Sequence, residues 1–145
     1  MADYVKQYAK LRTGAGSKYL AYGTMQRPFE LNPEKIELDW YLYNCATKHT
    51  GLYNKSGVDK ADSLINSVWT YQNSSLGMFF ANVSDEDKTI KVSVNLSQYK
   101  LNRKDYKLRI FEDGEQKEIG KLSHNEQKEI ELIIPAKKVI MVEAY

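Results

Sequence analysis

A chain of 145 residues fits one domain, long enough to bury roughly 68–70% of its unfolded surface. Its composition is that of an ordinary globular protein, and its net charge of +2 is spread evenly: residues 1–84 carry nine basic and seven acidic side chains, residues 85–145 twelve of each. That balance argues against a nucleic-acid binder, the single Cys45 excludes an intramolecular disulfide or a multi-cysteine metal site, and no apolar run approaches the ~20 residues of a membrane helix.

Asp3 to Thr13 reads as a helix, because Tyr4, Val5, Tyr8 and Leu11 recur at spacings of three and four. Asp3 is the expected N-cap, and Gly14 and Gly16 the expected stop through a left-handed cap. Met1-Ala2-Asp3-Tyr4 leads straight into this polar helix, so no secretory signal is expected.

After Ser17 the period drops to two. Lys18–Thr24 is a short strand candidate closed by Arg27-Pro28. Ile36–Leu42 alternates cleanly and predicts a half-buried strand with Ile36, Leu38, Trp40 and Leu42 inward. Asn44–Ser63 reads as a long loop, functional or mobile.

Strand signals then come at short intervals. Leu64–Tyr71 and Leu76–Val83 flank a polar hairpin connection, and Thr89–Leu96 follows the turn at Ser84–Asp87. Tyr106–Phe111, Glu118–Leu122, Glu129–Ile134 and a largely covered Lys138–Tyr145 complete the series. The fold class this predicts is mainly β: an antiparallel β-sandwich of about eight strands with one N-terminal α-helix. Strand parity places Leu38, Trp40, Val68, Phe80, Val92, Val94, Ile110, Leu132 and Val142 in one core.

Candidate chemistry is sparse. His49 and His124 lie in polar stretches without a ligand at metal spacing, and they read as solvated loop residues. Cys45 and His49 would be the members of a Cys–His nucleophile pair, although a small buried side chain explains Cys45 more simply. Asp85, Glu86 and Asp87 lack the calcium-loop pattern and read as a solvated turn. No cofactor or metal is expected. The tyrosines and tryptophans are more suggestive: Trp40, Tyr43, Tyr53 and Tyr71 are candidate rings for stacking on a sugar. Against this, the parity of Trp40 with Leu38 and Leu42 favours a core position for that ring.

The order of motifs resembles a known arrangement. Tyr4-Val5-x-x-Tyr8-x-x-Leu11-Arg12 precedes Tyr19-Leu20-x-Tyr22-Gly23-x-Met25-x-Arg27-Pro28; later come Ser67-Val68-Trp69, Gly77-Met78-Phe79-Phe80-Ala81-Asn82-Val83-Ser84 and Ile133-Ile134-Pro135-Ala136-Lys137-Lys138-Val139. This is similar to the C-terminal end of a TIM-barrel glycoside hydrolase, the last barrel helix followed by a C-terminal β-sandwich domain. The resemblance implies that residues 1–16 are a remnant of the barrel and residues 17–145 the sandwich. It further implies that the tryptophan and phenylalanine–asparagine strands form a hairpin, and that the closing strand begins at the Pro135–Val139 run. Catalytic carboxylates of barrel enzymes sit on barrel-strand loops, so the implied role is a non-catalytic accessory domain that packs against a catalytic barrel. The alternative is a carbohydrate-binding module that uses exposed rings. A helix parted from its barrel would leave Tyr4, Val5, Tyr8 and Leu11 partly uncovered, which predicts self-association.

Overall fold

Helical periodicity gives way to strand periodicity where expected, with two exceptions that reshape the molecule's edges. The computed structural model describes residues 2–42 and 55–145. Helix α1 spans Ala2–Thr13. It starts before Asp3, which therefore lies in the first turn instead of capping it. The helix ends where Gly14 N–H donates to the Lys10 carbonyl and Gly16 N–H to that of Leu11, both at 2.9 Å. Neither glycine is left-handed. They are required by close approach: a Cβ would lie 2.8 Å from the Lys10 oxygen at Gly14 and 2.7 Å from the Leu11 oxygen at Gly16.

Ser17–Tyr22 is a second helix, α2, where alternation predicts a strand. Burial decides this, because the helical turn lays the fully buried Tyr19 ring flat against Gly77. Strand pairing begins only at the short β1, Thr24–Gln26.

Strand β2, Lys35–Leu42, pairs with a strand that the sequence hides inside the long loop: β3, Lys55–Asp62. With a glycine and four charges in eight residues, β3 carries no β-propensity signal. The two strands form their own ribbon. The predicted face exists, but it is not part of the core: Leu38 is 38% and Trp40 43% exposed. Tyr43, Cys45, His49 and Tyr53 lie outside the described residues.

The remaining strands are β4 Leu64–Tyr71, β5 Ser75–Asn82, β6 Lys88–Asn95, β7 Asp105–Glu112, β8 Glu115–Ser123, β9 Gln127–Ile134 and β10 Val139–Ala144. The fold is thus an antiparallel sandwich with ten strands and two helices among the described residues. Six strands form one sheet in the order β1-β4-β5-β10-β7-β8, and β6–β9 forms the opposing layer. β4 and β5 make a hairpin, as the resemblance implies, and the closing strand starts at Val139. Two hairpin turns rest on consecutive positive φ angles, Gln72 at 49° with Asn73 at 52° and Asp113 at 50° with Gly114 at 92°. Positive φ at both central residues is what a type I′ turn, with its strand-matching twist, requires.

The main core fills the space between the six-stranded sheet and β6–β9. Val68, Phe80, Val92, Val94, Leu132 and Val142 are buried there, with Ile110 half-buried against them. The opposite face of the same sheet is covered by the two helices, over Leu11, Tyr19, Phe79, Phe111 and Met141. Strands β5 and β10 are therefore covered on both sides, which explains why they read as near-continuous apolar runs rather than alternating ones. Among the described residues no helix is long and apolar enough to cross a membrane.

Candidate functional site

Along β10 the odd-numbered side chains, Val139, Met141 and Glu143, point toward the helices. Glu143 is a carboxylate in a strand otherwise made of apolar residues, and it is only 1% exposed. Burying an unpaired charge costs several kcal/mol, and three donors offset that cost here. The Tyr19 hydroxyl donates to Oε1 at 2.7 Å, Lys18 Nζ reaches the same oxygen at 2.6 Å, and Arg109 Nε donates to Oε2 at 2.6 Å. Burial alone would push the Glu143 carboxyl up, but hydrogen bonds from Lys18, Tyr19 and Arg109 outweigh it and hold the group below its ordinary value. The Tyr19 hydroxyl is pushed strongly upward, first by burial and then by the Glu143 charge, so it remains a donor. Glu143 is thus arranged as a fixed counter-ion, ionised at neutral pH, that ties α2 to β7 and β10.

This cluster borders an open cleft of about 490 Å³ lined by Ser17, Lys18, Tyr22, Tyr71, Arg109 and Gln116 together with Glu143. Arg109 Nη1 donates to Gln116 Oε1 at 3.0 Å, and its guanidinium carbon lies 4.9 Å from the Phe111 ring centre and 4.0 Å from that of Tyr145. Lys18 Nζ lies 5.0 Å from the Tyr19 ring centre and 6.0 Å from that of Tyr71. The network was not evident from the sequence. Its one signal is the lone charge in a covered strand, and its partners Tyr19 and Arg109 stand 124 and 34 positions away.

Of the sequence-nominated rings, the two described ones, Trp40 and Tyr71, are not brought together. Tyr71 is half-buried on β4 at the cleft, edge-on to Tyr19 at 6.5 Å. Trp40 stands apart on the ribbon, paired with Gly57. Its ring lies so close over that glycine that a Cβ there would be 2.9 Å from the indole, while much of the ring remains exposed. His124 is half-buried rather than fully solvated, and its Nδ1 has no partner. Among the described residues no three His, Cys, Asp or Glu side chains are grouped to hold a metal ion.

A second concavity has a different character. Between α1, α2 and the sheet, Tyr8, Leu20, Ile65, Trp69, Phe79 and Val139 line an apolar groove of about 230 Å³. Tyr8 is 43% and Ile65 55% exposed at its rim, and Val5 extends the exposed apolar surface along α1. Leu11 alone of the described α1 stripe is buried against the domain.

No protein-family model and no curated protein sequence matches the chain. Solved structures similar to part of it are enzymes of one broad class. The neighbours are glycoside hydrolases. A family-27 β-L-arabinopyranosidase from Geobacillus stearothermophilus aligns at 13% identity and a TM-score of 0.41, over 58% of this chain and 17% of that one. A family-44 endoglucanase from Clostridium thermocellum aligns at 12% identity and 0.38, over 63% and 18%. An α-galactosidase from Mortierella vinacea aligns at 15% identity and 0.36, over 55% and 20%. The chain therefore spans less than two thirds of the length of these structures.

Proposed function

We propose that this chain is a non-catalytic accessory domain of a glycoside hydrolase, a C-terminal sandwich that packs its helix-bearing face on a catalytic barrel. Residues 1–16 are the remnant of that barrel's last helix, and residues 17–145 the accessory domain. The observation that carries the reading is the apolar groove with its exposed rim of Tyr8 and Ile65, extended along α1 by the exposed Val5. A sheet face already sealed by its own helices has no need of such a rim, and apolar area left in water forgoes about 25 cal/mol per Å². The motif order of the sequence supports the same assignment. The reading predicts an upstream frame that encodes barrel strands, and coexpression of this chain with that barrel tests it. Copurification is expected, and it should be lost in a Tyr8→Glu, Ile65→Glu variant. A neighbouring barrel that ignores this chain would overturn the assignment. Without the barrel, the same rim should drive self-association through α1, which light scattering on the wild type and on Tyr8→Glu, Leu11→Glu measures.

A second reading, a carbohydrate-binding module, draws on Trp40. Its indole rests over Gly57 with much of the residue exposed, the form of a platform for a sugar ring. Tyr71 and the undescribed Tyr43 and Tyr53 are the other nominated rings. Calorimetry with neutral oligosaccharides on wild type and Trp40→Ala decides it: no binding at millimolar sugar removes the reading.

A further inference from the structure

The cleft beside Glu143 carries unbalanced charge. Among the described residues Lys18 and Arg109 line it against the carboxylate of Glu143, with no other acidic or basic side chain. Arg109 is also unusually well held: Nε is fixed by Glu143, Nη1 by Gln116, and aromatic rings lie close by. Those bonds use only part of the guanidinium fork, and Nη2 has no protein acceptor among the described residues. A guanidinium already ordered by its neighbours loses little further freedom when it takes up an anion.

The space is larger than an inorganic anion fills and falls within the ~300–1,000 Å³ of small-molecule sites. Tyr22 is an exposed ring at its edge and Tyr71 a half-buried one. Tyrosine rings offer an apolar face for the C–H side of a pyranose and a hydroxyl for its rim. Ser17 and Gln116 add a hydroxyl and an amide. Positive charge, a flat apolar wall and neutral hydrogen-bonding groups together match one ligand chemistry.

We propose that this cleft binds a sugar bearing a carboxylate, a uronic acid residue, with the carboxylate on Arg109 and Lys18 and the ring against the tyrosines. Glu143 positions both cations and does not itself touch the ligand. The site lies on the helix-bearing face but away from both the apolar groove and the ribbon. Ile65 and Val139 of the apolar groove sit at the opposite strand ends from Tyr71 and Glu143, and Trp40 lies on a separate ribbon.

Titration of the ¹⁵N-labelled chain with D-galacturonate, D-galactose and acetate at constant ionic strength tests the proposal. Galacturonate should shift the signals of Ser17, Lys18, the Gln116 amide and the Arg109 Nε–H, and bind at least about tenfold more tightly than galactose or acetate. Arg109→Gln should lose about tenfold in affinity, whereas Trp40→Ala should lose none, which separates this cleft from the ribbon platform. Should Arg109→Gln fail to fold, Lys18→Gln carries the same test, since that side chain is 37% exposed. Equal binding of galactose and galacturonate would show that charge is not read. Acetate as tight as galacturonate would show that the sugar is not read. Either result, or no shift at the cleft, overturns the proposal.

Discussion

Gly77 is where the joint between helix and sheet is most exposed to a single methyl group. Its backbone passes beneath the Tyr19 ring, and an added Cβ would sit 2.8 Å from two ring carbons and 3.0 Å from a third. Ordinary carbon contacts begin near 3.5 Å, so the ring must lift by more than half an ångström. It has nowhere to go. Tyr19 is fully buried, edge-on to Tyr71 and Phe79 at 6.5 and 6.1 Å, and its hydroxyl is committed to Glu143. Overpacking of this kind costs about 1–3 kcal/mol, and weakening a hydrogen bond to a charged group up to about 1.5–3 more. Against these stands about 0.4–1 kcal/mol gained from the stiffer unfolded chain, because Gly77 is not in the left-handed region. Gly77→Ala should therefore lose about 2–4 kcal/mol, a fall in Tm of roughly 6–12 °C for a chain of this size. Urea unfolding measures the loss, and a cycle with Tyr19→Ala isolates its cause. With the ring removed, the added methyl should cost almost nothing. An equal cost in both backgrounds, or a Gly77→Ala protein as stable as wild type, would refute the argument that Tyr19 fixes this glycine.

Three further outcomes are expected. Because the folded Glu143 pKa is depressed, its stabilisation is present above the unfolded value of about 4.3 and lost as pH falls through the lower folded value; the stability gap between wild type and Glu143→Gln, from urea unfolding at several pH values, should shrink below about pH 4. Asn82 is fully buried, donating to the Glu86 and Ile134 carbonyls and accepting from the Ser84 N–H and hydroxyl; Asn82→Ala strands these groups and should cost about 2–4 kcal/mol by chemical unfolding. Val94→Ala, in the main core, should cost about 1–3 kcal/mol, while Trp40→Ala should change global stability by less than about 1 kcal/mol despite its larger truncation, because the ribbon lies off the core.

That last contrast shows where sequence reading succeeds and where it fails. In β6 and β9 the residues Val92, Val94 and Leu132 alternate with exposed or half-buried side chains, most of them polar, and alternation correctly gives both strand and burial because these strands cover the sheet on one side. In β2 the same pattern correctly gives a strand and wrongly gives burial. Period two records that one face differs from the other; it does not record what lies opposite. Among the described residues β2 pairs only with β3, whose charges and glycine leave Leu38 and Trp40 in view of solvent. Helix α2 fails for the converse reason. Its six residues are too few for a helical period to show, and the helix is held by one buried tyrosine whose seat, Gly77, lies far along the chain.

The candidate site was less legible than the fold because chemistry of this kind is assembled across sequence distance. Nothing local distinguishes Lys18 or Arg109 from the chain's other basic residues. Glu143 alone departs from its surroundings, a charge inside a strand with no solvent-facing side. A buried carboxylate there demands cations, and the only way to supply them on the helix-bearing face is from an element laid over it and from the neighbouring strand. Helix α2 and β7 are those two elements. The cluster that anchors the second helix and the cleft that presents two cations to solvent are therefore consequences of the same residue. Glu143→Gln should loosen both together: if the affinity of the cleft for a carboxylate sugar survives while α2 detaches, the cations are positioned by something other than Glu143.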